Sequence, residues 1–230
     1  DNLYRIIGVF DGEVKLIKYD YAKSTLLGTD GNYYGAYSYS GTNKGQNSKT
    51  EIGVYYWNKN TSNNTWSESQ LNTVNLNTNY LKNIGDEWSK KISDHTWKVG
   101  GNTWSNIAKQ TAPTAYQNEI NSPATNKTVN AKVGLMYVSD YGYASGFWSR
   151  MLGYCHYDTA NNWMYMGLYE WTLAPRTDNS NNAFIVDFNG DVSYDRVNSY
   201  MYGVRPVLYL TSSTTYVSGD GTMSKPFIIN

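Results

Sequence analysis

The chain has 230 residues, 40% of them apolar, which is enough for one domain with a buried core. Lys plus Arg and Asp plus Glu both number 19, so the formal net charge is zero. This balance disfavours nucleic acids and anionic membrane surfaces as partners, because both select clustered cationic side chains. Direct membrane insertion is also disfavoured, because no stretch approaches the roughly 20 apolar residues that span a bilayer.

The chain is predicted to open with a β-hairpin. Residues 3–10 and 14–18 have the pattern of two strands, and Asp11-Gly12 between them is a common turn pair. Residues 28–50, rich in Gly, Ser and Asn, are predicted to form a loop. Because a strand-like run begins at once without a signal peptide, we expect that an upstream signal or anchor was removed. Residues 1–230 are then predicted to form a single domain.

Helices are predicted through much of the rest of the first half. Ser67 and Gln70 fit a capping box that opens a short helix, and Asn77 is placed to cap a second helical segment. Residues 97–104 are predicted to form a hairpin around a Gly-Gly pair. Residues 105–120 are predicted to be helical, with a break near their proline.

The second half has the pattern of β-structure. Its strongest hairpin signal is Asn189-Gly190. Residues 139–142 are predicted to form a turn, followed by a long polar and aromatic loop over 142–162. The predicted strands cover residues 133–138, 183–188, 191–197, 204–210 and 227–229.

Tyrosine dominates the aromatic residues, with 23 Tyr and 8 Trp against 5 Phe. Tyr and Trp combine rigid contact area with a polar group and are enriched at recognition surfaces. An AT-rich genome also raises the frequency of Tyr and Asn, so composition alone has two explanations. The single cysteine, Cys155, excludes an intrachain disulfide and a cysteine-based zinc site.

Several motifs resemble those of a known group of domains. They are Glu170-Trp171-Thr172-Leu173, Ala183-Phe184 ahead of Asn189-Gly190, YGVRPVL at 202–208, YRIIGVF at 4–10, GLMYVSDYG at 134–142 and VSGDGT at 217–222. Together they resemble a family of uncharacterised domains in surface proteins of Gram-positive gut bacteria. That family is similar to the formylglycine-generating-enzyme type of C-type-lectin fold.

The resemblance implies an α+β, C-type-lectin-like fold with helices in the first half and β-hairpins in the second. It also implies that the N-terminal and C-terminal strands pair, and that the domain is extracellular, at the cell surface. The enzyme of this fold uses a pair of cysteines, whereas this chain has only Cys155 beside His156. Adjacent side chains on an extended segment point to opposite faces, so we expect no Cys-His nucleophile and no enzymatic activity.

No cofactor or metal is expected. The Glu-Pro-Asn or Gln-Pro-Asp tripeptides of calcium-dependent lectins are absent from the sequence. Asp187, Asp191 and Asp195 flank the hairpin turn at a spacing of four, which we interpret as solvated carboxylates rather than calcium ligands. His95 and His156 are too far apart in sequence to form a zinc signature.

The candidate ligand-binding surface is the segment from Arg176 to Tyr202. Ala183, Ile185 and Val192 are expected to face inward, while polar and aromatic neighbours face outward. The candidate ligand-binding residues are Arg176, Asp178, Asn179, Asn181, Phe184, Asp187, Tyr194, Arg196, Asn198, Tyr200 and Tyr202.

Two hypotheses follow for this surface. In related C-type-lectin-fold proteins, diversity-generating retroelements mutate adenines near the 3′ end of the gene, and mutated Asn codons give the residue types found here. The first hypothesis is therefore a receptor or adhesin, possessing a diversified face for a protein or glycan ligand on another cell or phage. The alternative is a structural pilus or surface-layer subunit without a dedicated ligand site, whose tyrosine-rich faces self-associate.

Two further expectations concern the core. Arg205 begins a strand that is otherwise apolar, so it is expected to pair with an internal carboxylate, with Glu170 as the candidate. Trp88, Trp163 and Trp171 are expected to pack in the core rather than to stack on a ligand.

Overall fold

The computed structural model describes residues 3–39, 50–121 and 127–230. The described chain is α+β, as predicted, and consists of small antiparallel sheets with short helical segments. The strands are β1 (Tyr4–Phe10), β2 (Glu13–Lys18), β3 (Tyr33–Tyr39), β4 (Thr50–Tyr56), β5 (His95–Lys98), β6 (Thr128–Ala131), β7 (Val133–Gly134), β8 (Glu170–Pro175), β9 (Asn182–Val186), β10 (Val192–Arg196), β11 (Met201–Tyr202), β12 (Val207–Tyr209), β13 (Tyr216–Ser218) and β14 (Ile228–Ile229).

The helical segments are short. The α-helices are α1 (Ser24–Leu27), α2 (Leu81–Asn83), α3 (Asp86–Ser89), α4 (Trp104–Ile107), α5 (Ala112–Tyr116) and α6 (Val138–Tyr143). Leu71–Tyr80 has π-helical hydrogen bonding and runs into α2, and Gln117–Asn121 extends α5 in the same way. Trp66–Glu68 and Leu152–Asp158 are 3₁₀-helical.

The largest sheet has the order β1-β2-β12-β7 and carries the first hairpin. Its turn is Asp11-Gly12, as predicted, with φ values of 51° and 84°. β12 pairs with β2, Leu208 facing Leu16, so a late strand does join an early one. The expectation that the terminal strands pair was nevertheless wrong: β14 pairs with β13, and β1 pairs with β2.

Two further sheets meet at the candidate surface. One has the order β10-β9-β8 and the other β11-β4-β3. A parallel β-bridge between Glu170 and Gly203 connects the start of β8 to the residue that follows β11. In this bridge the Gly203 N–H donates to the Tyr169 carbonyl at 3.0 Å. Residues distant in sequence are thereby brought side by side at the start of β8.

Helices and hairpins are not divided between the two halves of the chain as the resemblance implied. The β1–β2 and β3–β4 hairpins lie in the first half, and α6 lies in the second. The predicted loop over 28–50 was partly wrong, because β3 occupies 33–39; its residues 40–49 lie outside the described part.

The predicted helix caps were also wrong. Ser69, not Ser67, accepts the Leu71 N–H through its hydroxyl at 3.1 Å. Asn77 caps no helix; it lies within the π-helical segment and both donates to and accepts from the Val133 backbone, at 2.9 Å each. An asparagine can bond to a remote strand as readily as to a local helix end, so the local pattern misplaced this boundary.

Two predicted β segments have other structures. Residues 97–104 do not form a hairpin, because β5 pairs with β6 and Trp104 begins α4. The strand predicted over 133–138 stops at Gly134, and the turn predicted over 139–142 is instead part of α6, which begins at Val138. The Asp140 carboxylate accepts the Tyr137 N–H at 2.8 Å, so it caps the first turn of α6.

The core is rich in tryptophan and contains the predicted ion pair. Trp57, Trp66, Trp97 and Trp171 are almost completely buried, and Trp88 and Trp163 pack against the core from its edge. Arg205 binds Glu170 in a bidentate pair, with Nε–Oε1 at 2.7 Å and Nη2–Oε2 at 2.8 Å. The ion pair and the core position of Trp171 are confirmed, whereas Trp88 and Trp163 are only partly buried. The pair fixes the start of β8 against the segment that precedes β12.

Candidate binding surface

The β9–β10 hairpin is the rigid part of the candidate surface. Gly190 in its turn has φ 99°, a conformation that favours glycine. Asp187 Oδ1 accepts the N–H groups of Asn189, Gly190 and Asp191 at 2.9–3.0 Å. Burial raises the pKa of Asp187, and these backbone donors oppose that rise. Tyr141, in the core, donates to the Gly190 carbonyl at 2.7 Å and ties the turn to α6.

The two faces of β10 contact different candidate residues. Side chains alternate along a strand, so Tyr194 and Arg196 lie on one face and Asp195 on the other. Asp195 bonds to Tyr202, whereas Tyr194 contacts Trp104. The predicted residues therefore do not form a single patch.

One face carries four neighbouring aromatic rings, Tyr200, Tyr202, Tyr169 and Phe188, which we call the aromatic row. The ring centroids of Tyr200 and Tyr202 lie 6.2 Å apart, those of Tyr202 and Tyr169 4.9 Å, and those of Tyr169 and Phe188 5.4 Å. The first two pairs are nearly parallel, at 16° and 19°. Tyr200, Tyr169 and Phe188 are 47%, 36% and 50% exposed.

Tyr202 anchors the aromatic row to the core. Its ring lies 4.9 Å from that of buried Trp171, and its hydroxyl donates to Asp195 Oδ2 at 2.5 Å. Burial raises the pKa of Asp195, and burial together with this hydrogen bond raises the pKa of Tyr202. At the last residue of the row, Tyr165 donates its hydroxyl to the Phe188 carbonyl at 2.6 Å. Hydrogen bonds thus hold the row at its second ring, Tyr202, and at the backbone of its last, Phe188.

The opposite face carries a bracket formed by Arg176, Asp178, Tyr194 and Trp104. Arg176 binds Asp178 through Nε at 3.0 Å and Nη2 at 2.9 Å. Its guanidinium lies 4.1 Å from the Tyr194 ring centroid, and the Tyr194 ring lies 4.8 Å from that of Trp104. Hydrogen bonding to Asp178 raises the pKa of Arg176 and lowers that of Asp178. These side chains mainly bind one another and join β10 to α4.

The remaining candidate residues are dispersed. Phe184 was predicted to face outward, which was wrong: β9 is the central strand of its sheet, and Phe184 is completely buried. Asn179 and Asn181 lie in an exposed turn, where the Asn181 N–H donates to Asn179 Oδ1 at 2.9 Å. Asn198 bonds with its neighbour Ser199. The inward residues Ala183, Ile185 and Val192 are buried, as predicted.

Three contributors to this region were missed from the sequence. Tyr169 and Phe188 belong to the aromatic row, but Tyr169 lies outside the predicted segment and joins the row only through the Glu170–Gly203 bridge. Asn64 donates through Nδ2 to the carbonyls of Arg176 and Asn182 at 2.8 and 2.7 Å. No local pattern marks Asn64, because its partners are more than 100 residues away.

The three aspartates near the turn were expected to be solvated carboxylates, but each of them has a protein partner. Asp187 binds the turn, Asp195 binds Tyr202, and Asp191 accepts from the His156 backbone and pairs with its ring Nδ1 at 2.7 Å. Because each aspartate binds a different partner, the three carboxylates do not converge on a common site. Within residues 3–39, 50–121 and 127–230, no group of three His, Cys, Asp or Glu side chains could hold a metal ion.

Cys155 lies on a 3₁₀-helix, not on the extended segment that we had assumed. Its thiol is buried, and burial raises the thiol pKa to about 12, so the thiolate form is strongly disfavoured. The neighbouring His156 ring is engaged with Asp191.

Comparison with known proteins gives no relative from which a function could be transferred. No protein family, curated protein or solved structure matches the chain. Among the described residues, no helix is long and apolar enough to cross a membrane.

Proposed function

We propose that this chain is a ligand-binding domain displayed at the cell surface, and that the aromatic row is its contact surface. The observation that carries the proposal is the set of four adjacent rings, three of them at least 36% exposed, on a hydrogen-bonded scaffold. Rigid Tyr and Phe side chains lose little conformational entropy on binding and supply large contact area. The ligand we propose is a protein or glycan on another cell or phage.

The row also refines the C-type-lectin-like proposal. Three of its members, Phe188, Tyr200 and Tyr202, fall within the segment proposed to be diversified, and Tyr169 lies directly before β8. Substitution at exposed Phe188 or Tyr200 would alter the ligand contact while leaving the buried β9 unchanged. A surface of this kind fits a receptor or adhesin whose contact residues vary on a constant scaffold.

The test is binding of the labelled domain to a glycan array and to intact bacterial cells. Replacing Tyr200 and Tyr169 together with Ala should weaken binding at least tenfold, because anchor residues at the centre of a patch carry most of the affinity. The matched control is Tyr216→Ala, since Tyr216 is 64% exposed and lies outside the row. Unchanged binding by the double variant, or equal loss in the control, would contradict the proposal.

The structural-subunit alternative rests on a different surface. Phe147, Trp148 and Tyr157 are 52%, 56% and 69% exposed. Arg150 lies 5.8 Å from the Phe147 ring and 5.7 Å from the Tyr157 ring, and Trp148 lies 5.9 Å from the Tyr143 ring. Exposed apolar clusters of this kind are typical of association sites. The test is sedimentation over a range of protein concentrations. Self-association that is lost in Trp148→Ala and kept in Tyr200→Ala would favour the structural subunit over the ligand-binding domain.

A further inference from the structure

Lys15 and Asp140 form a buried ion pair outside the aromatic row. Lys15 lies on β2 and Asp140 in the first turn of α6, and Nζ is 2.6 Å from Oδ2. The two side chains are only 2% and 7% exposed. A lysine and an aspartate are rarely buried to this extent, and the pair joins elements that are 125 residues apart in sequence.

Three aromatic rings surround the lysine end of the pair. Lys15 Nζ lies 4.6 Å from the Tyr137 ring centroid, 5.3 Å from that of Phe10 and 5.7 Å from that of Tyr209. The pair is shielded from bulk water, and the 2.6 Å contact lets a proton pass directly from Nζ to Oδ2. Proton transfer within the pair gives an uncharged amine and a carboxylic acid, and an uncharged lysine amine is a nucleophile.

Asp140 is also held in a fixed position. Its Oδ2 accepts the Tyr137 N–H, and Glu119 accepts the Val138 and Ser139 N–H groups at 3.2 and 3.1 Å. Glu119 is completely buried, which raises its pKa to about 7, and the Asp140 charge contributes to that rise. Its two hydrogen bonds hold the Val138–Ser139 backbone next to Asp140. Glu119 is therefore a positioning residue for the first turn of α6.

We propose that Lys15 Nζ and Asp140 Cγ condense into an intramolecular amide bond. The ammonium group passes one proton to Oδ2, the amine forms the N–C bond, and a second proton follows to Oδ2. The C–Oδ2 bond then breaks, and the oxygen leaves as water; one hydrogen stays on the amide nitrogen. The reaction needs no oxidant or other co-reactant, and the fixed contact of the two groups lowers its entropic barrier.

A cavity beside the pair could accept the released water. It has a volume of about 340 Å³, and Asp140 lines it together with Phe10, Tyr116, Tyr143 and Trp163. The product would fasten β2 to α6 by a bond that thiol reductants do not cleave, in a chain whose single cysteine allows no internal disulfide. The cross-link does not depend on the proposed ligand-binding function.

The experiment is the intact mass of the purified, denatured chain, followed by peptide mapping. We expect a mass lower by one water molecule than the sequence requires, and a branched peptide that contains both Lys15 and Asp140. Lys15→Arg keeps a cation beside Asp140 but removes the amine, so its mass should equal that of its own sequence. The matched control is Lys18→Arg, which alters a second buried lysine of β2 and should keep the deficit.

Two results would overturn the cross-link. One is a wild-type chain with the full mass of its sequence. The other is a deficit that persists in Lys15→Arg, which would place the water loss elsewhere, for example in a cyclic imide at Asp11-Gly12. The wild-type mass is measured without any variant, so a folding defect in Lys15→Arg leaves the first result decisive.

Discussion

At the scale of single residues, Glu119 shows how burial can govern the response of stability to pH. Its carboxyl group is completely buried and accepts two backbone N–H groups of α6, while burial raises its pKa from 4.5 to about 7. The folded state therefore binds a proton more tightly than the unfolded state does. This contribution to stability is fully present below pH 4.5 and is lost as the pH rises through about 7.

We predict that Glu119→Gln removes this part of the pH dependence. Between pH 4.5 and 7 the wild-type free energy of unfolding should fall by up to about 3 kcal/mol because of this group, whereas glutamine does not titrate. Urea denaturation at a series of pH values measures the difference between the two curves. Parallel curves for wild type and variant over this range would show that Glu119 does not titrate as its burial implies.

At the scale of elements, the residues expected to stabilise the fold near β10 differ from those expected to contact a ligand. Tyr194 packs between Arg176 and Trp104 and so joins β10 to α4, whereas Tyr200 lies on the other face and is 47% exposed. We predict that Tyr194→Ala costs about 2 kcal/mol of unfolding free energy, because it removes aromatic and cation–π contacts. Tyr200→Ala should change stability by less than about 0.5 kcal/mol.

Chemical denaturation of the two single variants tests this division, with ligand binding as the second readout. Tyr194→Ala should retain binding at temperatures where it is folded, and Tyr200→Ala should lose affinity while unfolding like the wild type. If Tyr194→Ala were as stable as the wild type, the bracket would not join β10 to α4 as described.

At the scale of the whole molecule, the Arg205–Glu170 pair joins the start of β8 to the segment that precedes β12. Both side chains are almost completely buried, and Arg205 also donates to the Met164 carbonyl at 2.7 Å. We predict that Glu170→Ala lowers the free energy of unfolding by about 3–5 kcal/mol, because it leaves a buried guanidinium unpaired. Thermal and urea unfolding measure the loss. Replacing both residues with apolar ones should restore part of it, and a double variant no more stable than Glu170→Ala would contradict this explanation.

Features encoded by adjacent residues were predictable from the sequence. Both hairpins were predictable because each has a turn pair in its loop: Asp11-Gly12 is the two-residue turn between β1 and β2, and Asn189-Gly190 lies in the longer 187–191 loop between β9 and β10. Arg205 was expected to pair because an arginine in an apolar strand needs a carboxylate. The division of the candidate surface was not predictable, since it depends on which face of β10 meets α4, and that register is set by tertiary packing. The place of Tyr169 likewise depends on a bridge across 33 residues of sequence, between Glu170 and Gly203.

The hydrogen bonds of the β9–β10 turn also bear on how the protein ages. Asn-Gly pairs deamidate when the glycine nitrogen attacks the asparagine side chain, a step that needs a mobile backbone and a free N–H. The Gly190 N–H is already engaged by Asp187, through both its carbonyl and its Oδ1 at 3.0 Å, and the Gly190 carbonyl is held by Tyr141. The turn that supports the aromatic row is thereby protected in storage, and Asn189 should keep its amide for as long as the hairpin stays folded.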